Sequence, residues 1–171
     1  MICRPKSAVM VSDMDTLKIE TLPRSEVAVV FPLVQLLFKD LELEQWTRHA
    51  DELIAPDGWR GILIARDLRE VVLGMLQYEH RVGLDGTSFM AGSNILACGL
   101  THRHRVRIAA MMIEGLERLA QRSACQIVRS EILEHGDAAT IDGLSDHLRI
   151  AGHEARHVTF FKLLDPDLQP Q

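Results

Sequence analysis

The apolar positions of this chain change their spacing from one segment to the next, and each spacing predicts one kind of element. Between residues 108 and 122, apolar side chains recur every three or four positions, which predicts an amphipathic helix. The short apolar runs on either side, 95–100 and 125–128, have the length of buried strands. Together these segments predict a parallel strand–helix–strand unit.

The rest of the chain follows the same rules. The predicted elements are, in order, a strand at 16–21, helices at 25–39 and 42–54, strands at 61–65 and 71–81, a loop at 83–93, a helix at 141–151 and a strand at 157–163. Pro32 requires that the first helix begins near Phe31 or is kinked there. Gly74 inside a strand indicates a bulge or a close backbone approach. The order predicts a mixed α/β sandwich around one sheet, antiparallel first and parallel in the middle.

Length and composition limit the class of protein. The 171 residues predict a single domain over 1–171, with loose ends at 1–14 and 165–171. The net charge of −5 argues against a general nucleic-acid-binding protein. Three cysteines without a C-x-x-C pair predict a reduced, cytoplasmic protein. We find no signal peptide and no apolar run long enough to span a bilayer, so no membrane partner is expected.

The candidate chemistry begins with a basic run at 101–107, where the sequence predicts a turn before the central helix. Arg103, Arg105 and Arg107 lie there together with two histidines. A helix N-terminus favours anions, and cations placed there oppose the helix dipole, so the run indicates either an anionic ligand or a solvated basic loop. His102 and His104 complete no recognisable set of metal ligands, and no metal site is expected.

These features, in this order, resemble the GNAT superfamily of acyl-CoA N-acyltransferases over about residues 31–164. The segment LERLA at 116–120 and the ending LRIAGH at 148–153 carry the resemblance further, as does the segment at 30–37, which is similar to the first helix of many members. The resemblance implies a three-layer sandwich, with a central mixed sheet of about six to seven strands flanked by about four helices.

In that family, the strand before the central helix diverges from its neighbour, and the pantetheine arm of acetyl-CoA lies in the gap. The pyrophosphate binds a turn reading Q/R-x-x-G-x-G/A, which corresponds here to 104–109 with Arg107 in place of the middle glycine. The residues that the resemblance assigns to acetyl-CoA are Cys98, Gly99, Leu100, Arg105, Val106, Arg107, Ile108, Ala109 and Ala110. The two arginines could also hold phosphate through their side chains.

The catalytic residues are less well matched. The family often uses a tyrosine on the last helix to protonate the leaving thiolate, and the corresponding residue here is Leu148. Glu131, at the end of the second central strand, is the candidate general base; Asn94, Glu79 and His80 are weaker candidates. The acidic residues Asp40, Glu42 and Glu44 would suit a cationic amine, although any solvated helix start has such residues.

The sequence therefore predicts an N-acetyltransferase that uses acetyl-CoA as co-substrate and a primary amine of a small molecule or peptide as acceptor. Two alternatives stay open. One is a GNAT-like protein without turnover that binds CoA or another anion, or acts as an interaction domain. The other is a small nucleic-acid-binding module, which conflicts with the net charge of −5. A homodimer is compatible with the sequence, which does not specify the oligomeric state.

Overall fold

Five strands and four helices make up the part of the chain that the computed structural model describes, residues 17–132 and 138–155. In chain order they are β1 (Lys18–Thr21), α1 (Val27–Gln35), α2 (Leu43–Leu53), β2 (Arg60–Arg66), β3 (Val72–Val82), β4 (Ser88–Ala97), α3 (His102–Arg122), β5 (Ile127–Ser130) and α4 (Ala138–Ile150). A 3₁₀ turn at Arg24–Glu26 leads into α1. The strand expected at 157–163 and the two termini expected to be loose fall outside the described residues.

The strands form one mixed sheet in sequence order. Neighbouring strands from β1 to β4 are antiparallel, and β4 pairs with β5 in parallel. The switch to parallel pairing follows from the long crossover through α3, because adjacent parallel strands need such a connection. The mixed sheet is as predicted, but the described residues contain five of its expected six to seven strands.

Two hydrophobic cores lie on opposite faces of the sheet. Along β2, Ile62 and Ile64 pack toward α1 and α2, whereas Leu63 and Ala65 pack toward α3 and α4. Such alternation places successive side chains on opposite faces of a strand. The predicted three-layer α/β sandwich, with helices on both sides of one sheet, is confirmed.

Gly74 marks a close approach, as predicted. A Cβ at this position would lie 2.6 Å from the Sδ of Met112 and 2.7 Å from the Cγ2 of Ile108, so α3 can pack directly on β3. Strand β3 is also irregular here, because Ala65 of β2 pairs with Gly74 whereas the next residue, Arg66, pairs with Val72. Close packing at this point fixes where α3 crosses the sheet.

The prediction of a long loop at 83–93 is wrong. Only a tight turn separates β3 from β4, and β4 begins at Ser88. Of the three glycines that indicated a loop, Gly83 and Gly86 lie in the turn, whereas Gly92 is required by packing: a Cβ there would lie 2.5 Å from the Cδ2 of Leu116 on α3. Phe89 and Met90 are buried in the same strand.

Of the two alternatives for the first helix, the start near Phe31 is wrong. Helix α1 begins at Val27, a turn before Phe31, and Pro32 lies inside it. The carbonyl that Pro32 leaves without its helical donor belongs to Ala28, which is exposed, so water can satisfy it. The burial of Val30, Leu33 and Val34 against the sheet then outweighs the unfavourable proline.

Candidate active site

Strands β4 and β5 diverge halfway along β4. Their register runs from Phe89 paired with Ile127 to Gly92 paired with Ser130. A last hydrogen bond joins the N–H of Glu131 to the carbonyl of Gly92 at 2.8 Å. From Ser93 onward, the edge of β4 that faced β5 has no strand partner within the described residues. The backbone N–H and C=O groups on that edge can therefore bind a ligand.

A β-bulge lies at the point of divergence. Met75 pairs with Leu96 but Gln77 pairs with Ser93, so β4 contains one residue more than β3 in this interval. Asn94 takes up the irregularity with a φ of 50°, a left-handed conformation that asparagine tolerates better than most residues. Its side-chain amide donates to the Oε1 of Gln77 at 2.6 Å. A bulge re-aims the strand and its backbone groups, which here border a cleft.

The cleft has a volume of about 790 Å³ and reaches both helical layers. One wall runs from Asn94 to Gly99 and consists of the end of β4 that no longer pairs with β5, together with the two residues after it. Arg105 of α3 and Thr140 of α4 line it on one side of the sheet, and Leu37 and Trp46 line it on the other. Because residues from both sides border one space, the cleft passes through the sheet where β4 leaves β5.

The structure corrects the predicted phosphate-binding turn. Helix α3 begins at His102, so residues 104–109 are helical. Thr101 caps the helix: its Oγ1 accepts from the N–H of His104 at 3.3 Å, and its carbonyl accepts from the N–H of Arg105 at 3.2 Å. The N–H groups that point out of the helix end therefore belong to the first turn, before Arg105. Sequence periodicity missed this turn because its side chains are polar.

Arg105 reaches back from α3 into the cleft. Its Nη1 donates to the carbonyl of Gly99 at 3.0 Å, and its Nε donates to the Oγ1 of Thr140 at 3.3 Å. The guanidinium thus joins the end of β4 to α4. Gly99 allows this arrangement because a Cβ there would lie 2.8 Å from the Cβ of His104. A fixed cation at this place favours an anionic or carbonyl ligand.

The nine residues expected at acetyl-CoA divide into three groups. Cys98, Gly99, Arg105 and Ala109 line the cleft. Val106, Arg107 and Ala110 instead line a shallower hollow between α3 and α4, of about 470 Å³. Leu100 is 94% exposed and Ile108 is 1% exposed.

The catalytic candidates are also separated. Glu131 is exposed and does not line the cleft, although Ile132 beside it does; its role as general base stays a prediction. Asn94 borders the cleft at the bulge. Glu79 pairs with Arg81, and His80 lies 2.6 Å from the Oγ of Ser88, both away from the cleft.

The acidic residues near α2 make their contacts outside the cleft. Glu42 caps α2 together with Gln45, and Glu44 pairs with Arg48 at 3.2 Å. Neither they nor Asp40 line the cleft. Among the described residues that do line it, none is a carboxylate.

Sequence reasoning did not identify the particular side chains that α2 and β3 contribute to the cleft. His49 and Gln77 line the cleft, and Trp46 beneath it donates its Nε1–H to the carbonyl of Val27 at 2.7 Å. The amphipathic spacing at 42–54 predicts that Trp46 lies on the buried face of the helix, but spacing does not show that this face borders a cavity.

The residue at the family's tyrosine position and the only tyrosine of the chain both lie in the core. Leu148, at the family's tyrosine position, is buried between α4 and α3. Tyr78 is buried on β3, and this burial raises the pKa of its phenol. Neither residue lines the cleft.

No helix in the described part of the chain is long and apolar enough to cross a membrane. Within the same residues, no group of three or more histidine, cysteine, aspartate or glutamate side chains could hold a metal ion.

Comparison with solved structures identifies the class of fold. No protein-family model matches the sequence, and no curated protein matches it. Solved acetyltransferases, however, superimpose on nearly the whole chain. With its three layers and its divergent central strands, the chain has the GNAT fold, as the resemblance predicted.

Three of these structures illustrate the similarity. An aminoglycoside N-acetyltransferase, AAC(6')-Iy in complex with CoA, is 17% identical with a TM-score of 0.66, over 86% of this chain and 95% of the other. AAC(6')-Ih from Acinetobacter baumannii is 21% identical with a TM-score of 0.64, over 88% and 99%. A ribosomal-protein-alanine N-acetyltransferase from Brucella melitensis biovar Abortus 2308 is 16% identical with a TM-score of 0.65, over 88% and 100%.

Proposed function

We propose that this protein is an acyl-CoA-dependent N-acetyltransferase that transfers an acetyl group from acetyl-CoA to a primary amine of a small molecule or peptide. The observation that carries the proposal is the cleft that passes through the sheet where β4 leaves β5, bordered by the bulge at Asn94. An extended thioester fits such a gap, and the amine can approach its carbonyl from the opposite side of the sheet.

The reaction needs little covalent help from the protein. The lone pair of the amine attacks the thioester carbonyl, the C–S bond breaks, and the thiolate leaves while the ammonium proton passes to a base or to water. Holding both reactants together supplies much of the acceleration. Backbone N–H groups beside the bulge are placed to polarise the carbonyl and stabilise its developing negative charge.

We assign the phosphates of CoA to the region where β4 ends and α3 begins. The guanidinium of Arg105 lies there, with the outward N–H groups of His102 and Arg103 in the first turn of α3. This assignment replaces the backbone turn of residues 104–109, whose N–H groups are committed to the helix.

The general base has two candidates in different places. Glu131 follows the last hydrogen bond between β4 and β5, and from there it would act through water. His49 lines the cleft on the α1–α2 side and would act directly. Glu131→Gln and His49→Asn variants separate the two, because only the variant that lacks the base loses the acidic limb of the pH profile of kcat/KM.

The experiment that tests the proposed function combines binding and turnover. Thermal unfolding with acetyl-CoA at a hundredfold its Kd should show a stabilisation of about 2.7 kcal/mol. Release of free thiol in the presence of a panel of primary amines then measures transfer. An absence of stabilisation at millimolar acetyl-CoA would refute the proposal.

Arg105→Ala provides the matched variant. Losing a charge-assisted hydrogen bond costs about 1.5–3 kcal/mol, so the Kd of acetyl-CoA should rise at least tenfold. Arg122→Ala is the control, since it removes the same side chain at the opposite end of the same helix. Equal effects of the two variants would show that Arg105 does not contact the ligand.

A non-catalytic role is the second candidate. It is favoured by Leu148, which is buried in the core and cannot donate a proton. Stabilisation by CoA and acetyl-CoA without thiol release for any amine would select this role. It would make the protein a CoA-binding module.

A further inference from the structure

The half of the cleft between the sheet and the α1–α2 layer is strongly apolar. Leu33 and Trp46 form its buried floor, at 7% and 2% exposure. Leu36, Leu37 and Phe38 follow one another around the end of α1, with 60%, 38% and 48% of their surfaces exposed. Contiguous exposed apolar side chains along a cavity usually mark a ligand site.

The other half of the cleft is polar. Arg105 and Thr140 lie at that end, where the carbonyl of Gly99 accepts from the guanidinium. The bulge at Asn94 lies on the wall between the two halves. One continuous cavity therefore leads from a cationic end, past the bulge, to an apolar end. A ligand that matches it is linear, with an anionic head and an apolar tail.

We propose that the cleft accepts acyl thioesters with a chain considerably longer than acetyl, and that this chain lies against Leu37 and Phe38 at the end of α1. The inference rests on the proposed function and specifies its donor. The chemistry is unchanged: the amine nitrogen bonds to the acyl carbon, the C–S bond breaks, the thiol is released, and the amine loses one proton. Only the length of the transferred acyl chain differs.

The same surfaces argue against a polycationic acceptor in the apolar half. No carboxylate occurs among the described residues lining the cleft, and the nearby Glu44 pairs with Arg48 outside it. An acetyl group alone would leave most of the wall formed by Leu36, Leu37 and Phe38 in contact with water. A longer chain would cover that wall, and each buried methylene would then strengthen binding.

The test is a series of dissociation constants measured by calorimetry for CoA, acetyl-CoA, hexanoyl-CoA and decanoyl-CoA, all below their micelle-forming concentrations. Where the chain is fully buried, each added methylene should lower the Kd about threefold to fourfold. Rates of thiol release with a single amine should show the same preference in kcat/KM. Equal Kd values for acetyl-CoA and decanoyl-CoA would overturn the inference and leave the proposed function standing.

Two variants locate the chain. Leu37→Asn and Leu36→Asn place a polar group on the wall, and each should remove most of the difference in Kd between decanoyl-CoA and acetyl-CoA. Leu84→Asn is the control, because Leu84 is fully exposed in the β3–β4 turn, away from the cleft. An unchanged chain-length preference in both wall variants would overturn the placement.

Decylamine tests whether the apolar half of the cleft holds an apolar chain of the amine acceptor rather than the acyl chain of the thioester. If decylamine is acylated with a far higher kcat/KM than short amines, and lengthening the acyl group brings no gain, the apolar half belongs to the acceptor and the inference is wrong. Failure of every thioester to bind would refute the proposed function together with it. Failure of the inference alone can thus be distinguished from failure of the proposed function.

Discussion

At the scale of single residues, Tyr78 shows how burial changes chemistry. It is the only tyrosine of the chain and is 7% exposed on β3. Burial raises the pKa of its phenol because the charged phenolate would lose its hydration. The residue could have been mistaken for a proton donor, but it faces the core between the sheet and α3 rather than the cleft.

The raised pKa of Tyr78 predicts a loss of stability at high pH. In the unfolded chain a phenol titrates near pH 10. A raised pKa in the folded state means that the native protein holds this proton more tightly. The associated stability is fully present below about pH 10 and is lost as pH rises through the folded value. Phenolate absorbance measures the titration directly, since no other tyrosine contributes.

Tyr78→Phe is the variant that isolates this effect. It should unfold with a weaker dependence on pH above about 10, measured by urea denaturation across that range. Lys18 titrates in the same window, because its hydrogen bond to Glu20 raises its pKa, so Lys18→Met is the companion control. A phenol that titrates near pH 10 in the folded protein would contradict the prediction.

The family resemblance, rather than side-chain identity, predicted part of the candidate site. It assigned Cys98, Gly99 and Arg105 to acetyl-CoA, and these residues line the cleft. His49 and Gln77 were not identified, because they come from elements distant in sequence that only folding brings to the same cavity. Spacing within one segment reveals which face of that segment is buried, but not what lies opposite it.

At the scale of elements, the spacing of apolar residues located part of β4 and most of α3 but not the residue at which each begins. The apolar stripe predicted α3 from residue 108, whereas the helix begins at His102 through a Thr101 cap. The first turn is polar because its residues His102 and Arg103 are exposed to solvent. Likewise, β4 begins at Ser88 inside a segment whose small residues indicated a loop. Composition could not distinguish a glycine needed for a turn from one needed for close helix packing.

Gly74 provides a test of that close packing. Gly74→Ala should lower the free energy of unfolding by about 1–3 kcal/mol, because the new Cβ would meet the Sδ of Met112 at 2.6 Å and the Cγ2 of Ile108 at 2.7 Å. Urea denaturation measures the change. In a double-mutant cycle, Gly74→Ala should lower the free energy of unfolding by less when Met112→Ala is already present, since Met112→Ala removes one of the two obstructing groups. Strictly additive effects would mean that the strand moves away instead.

At the scale of the whole molecule, one buried arginine joins the edge of the sheet to the helical layer. Arg66, at the end of β2, is the only charged residue buried among those described, with 7% exposure. Its Nε lies 3.0 Å from the Oε1 of Glu20 on β1, and its Nη2 pairs with Glu26 in the turn that leads into α1. Its Nη1 lies 3.5 Å from Glu70 in the β2–β3 turn. Three separate segments thus depend on one guanidinium.

Arg66→Met should therefore be among the more damaging single changes in this chain. Removing one partner of a buried ion pair typically costs about 3–5 kcal/mol, because the remaining charges stay partly desolvated. We expect about 3 kcal/mol here, since Glu26 and Glu70 keep access to water. Arg48→Met removes an exposed pair with Glu44 and should cost less than about 0.5 kcal/mol. Similar losses in the two variants, measured by urea denaturation, would mean that the contacts of Arg66 do not hold the three segments together.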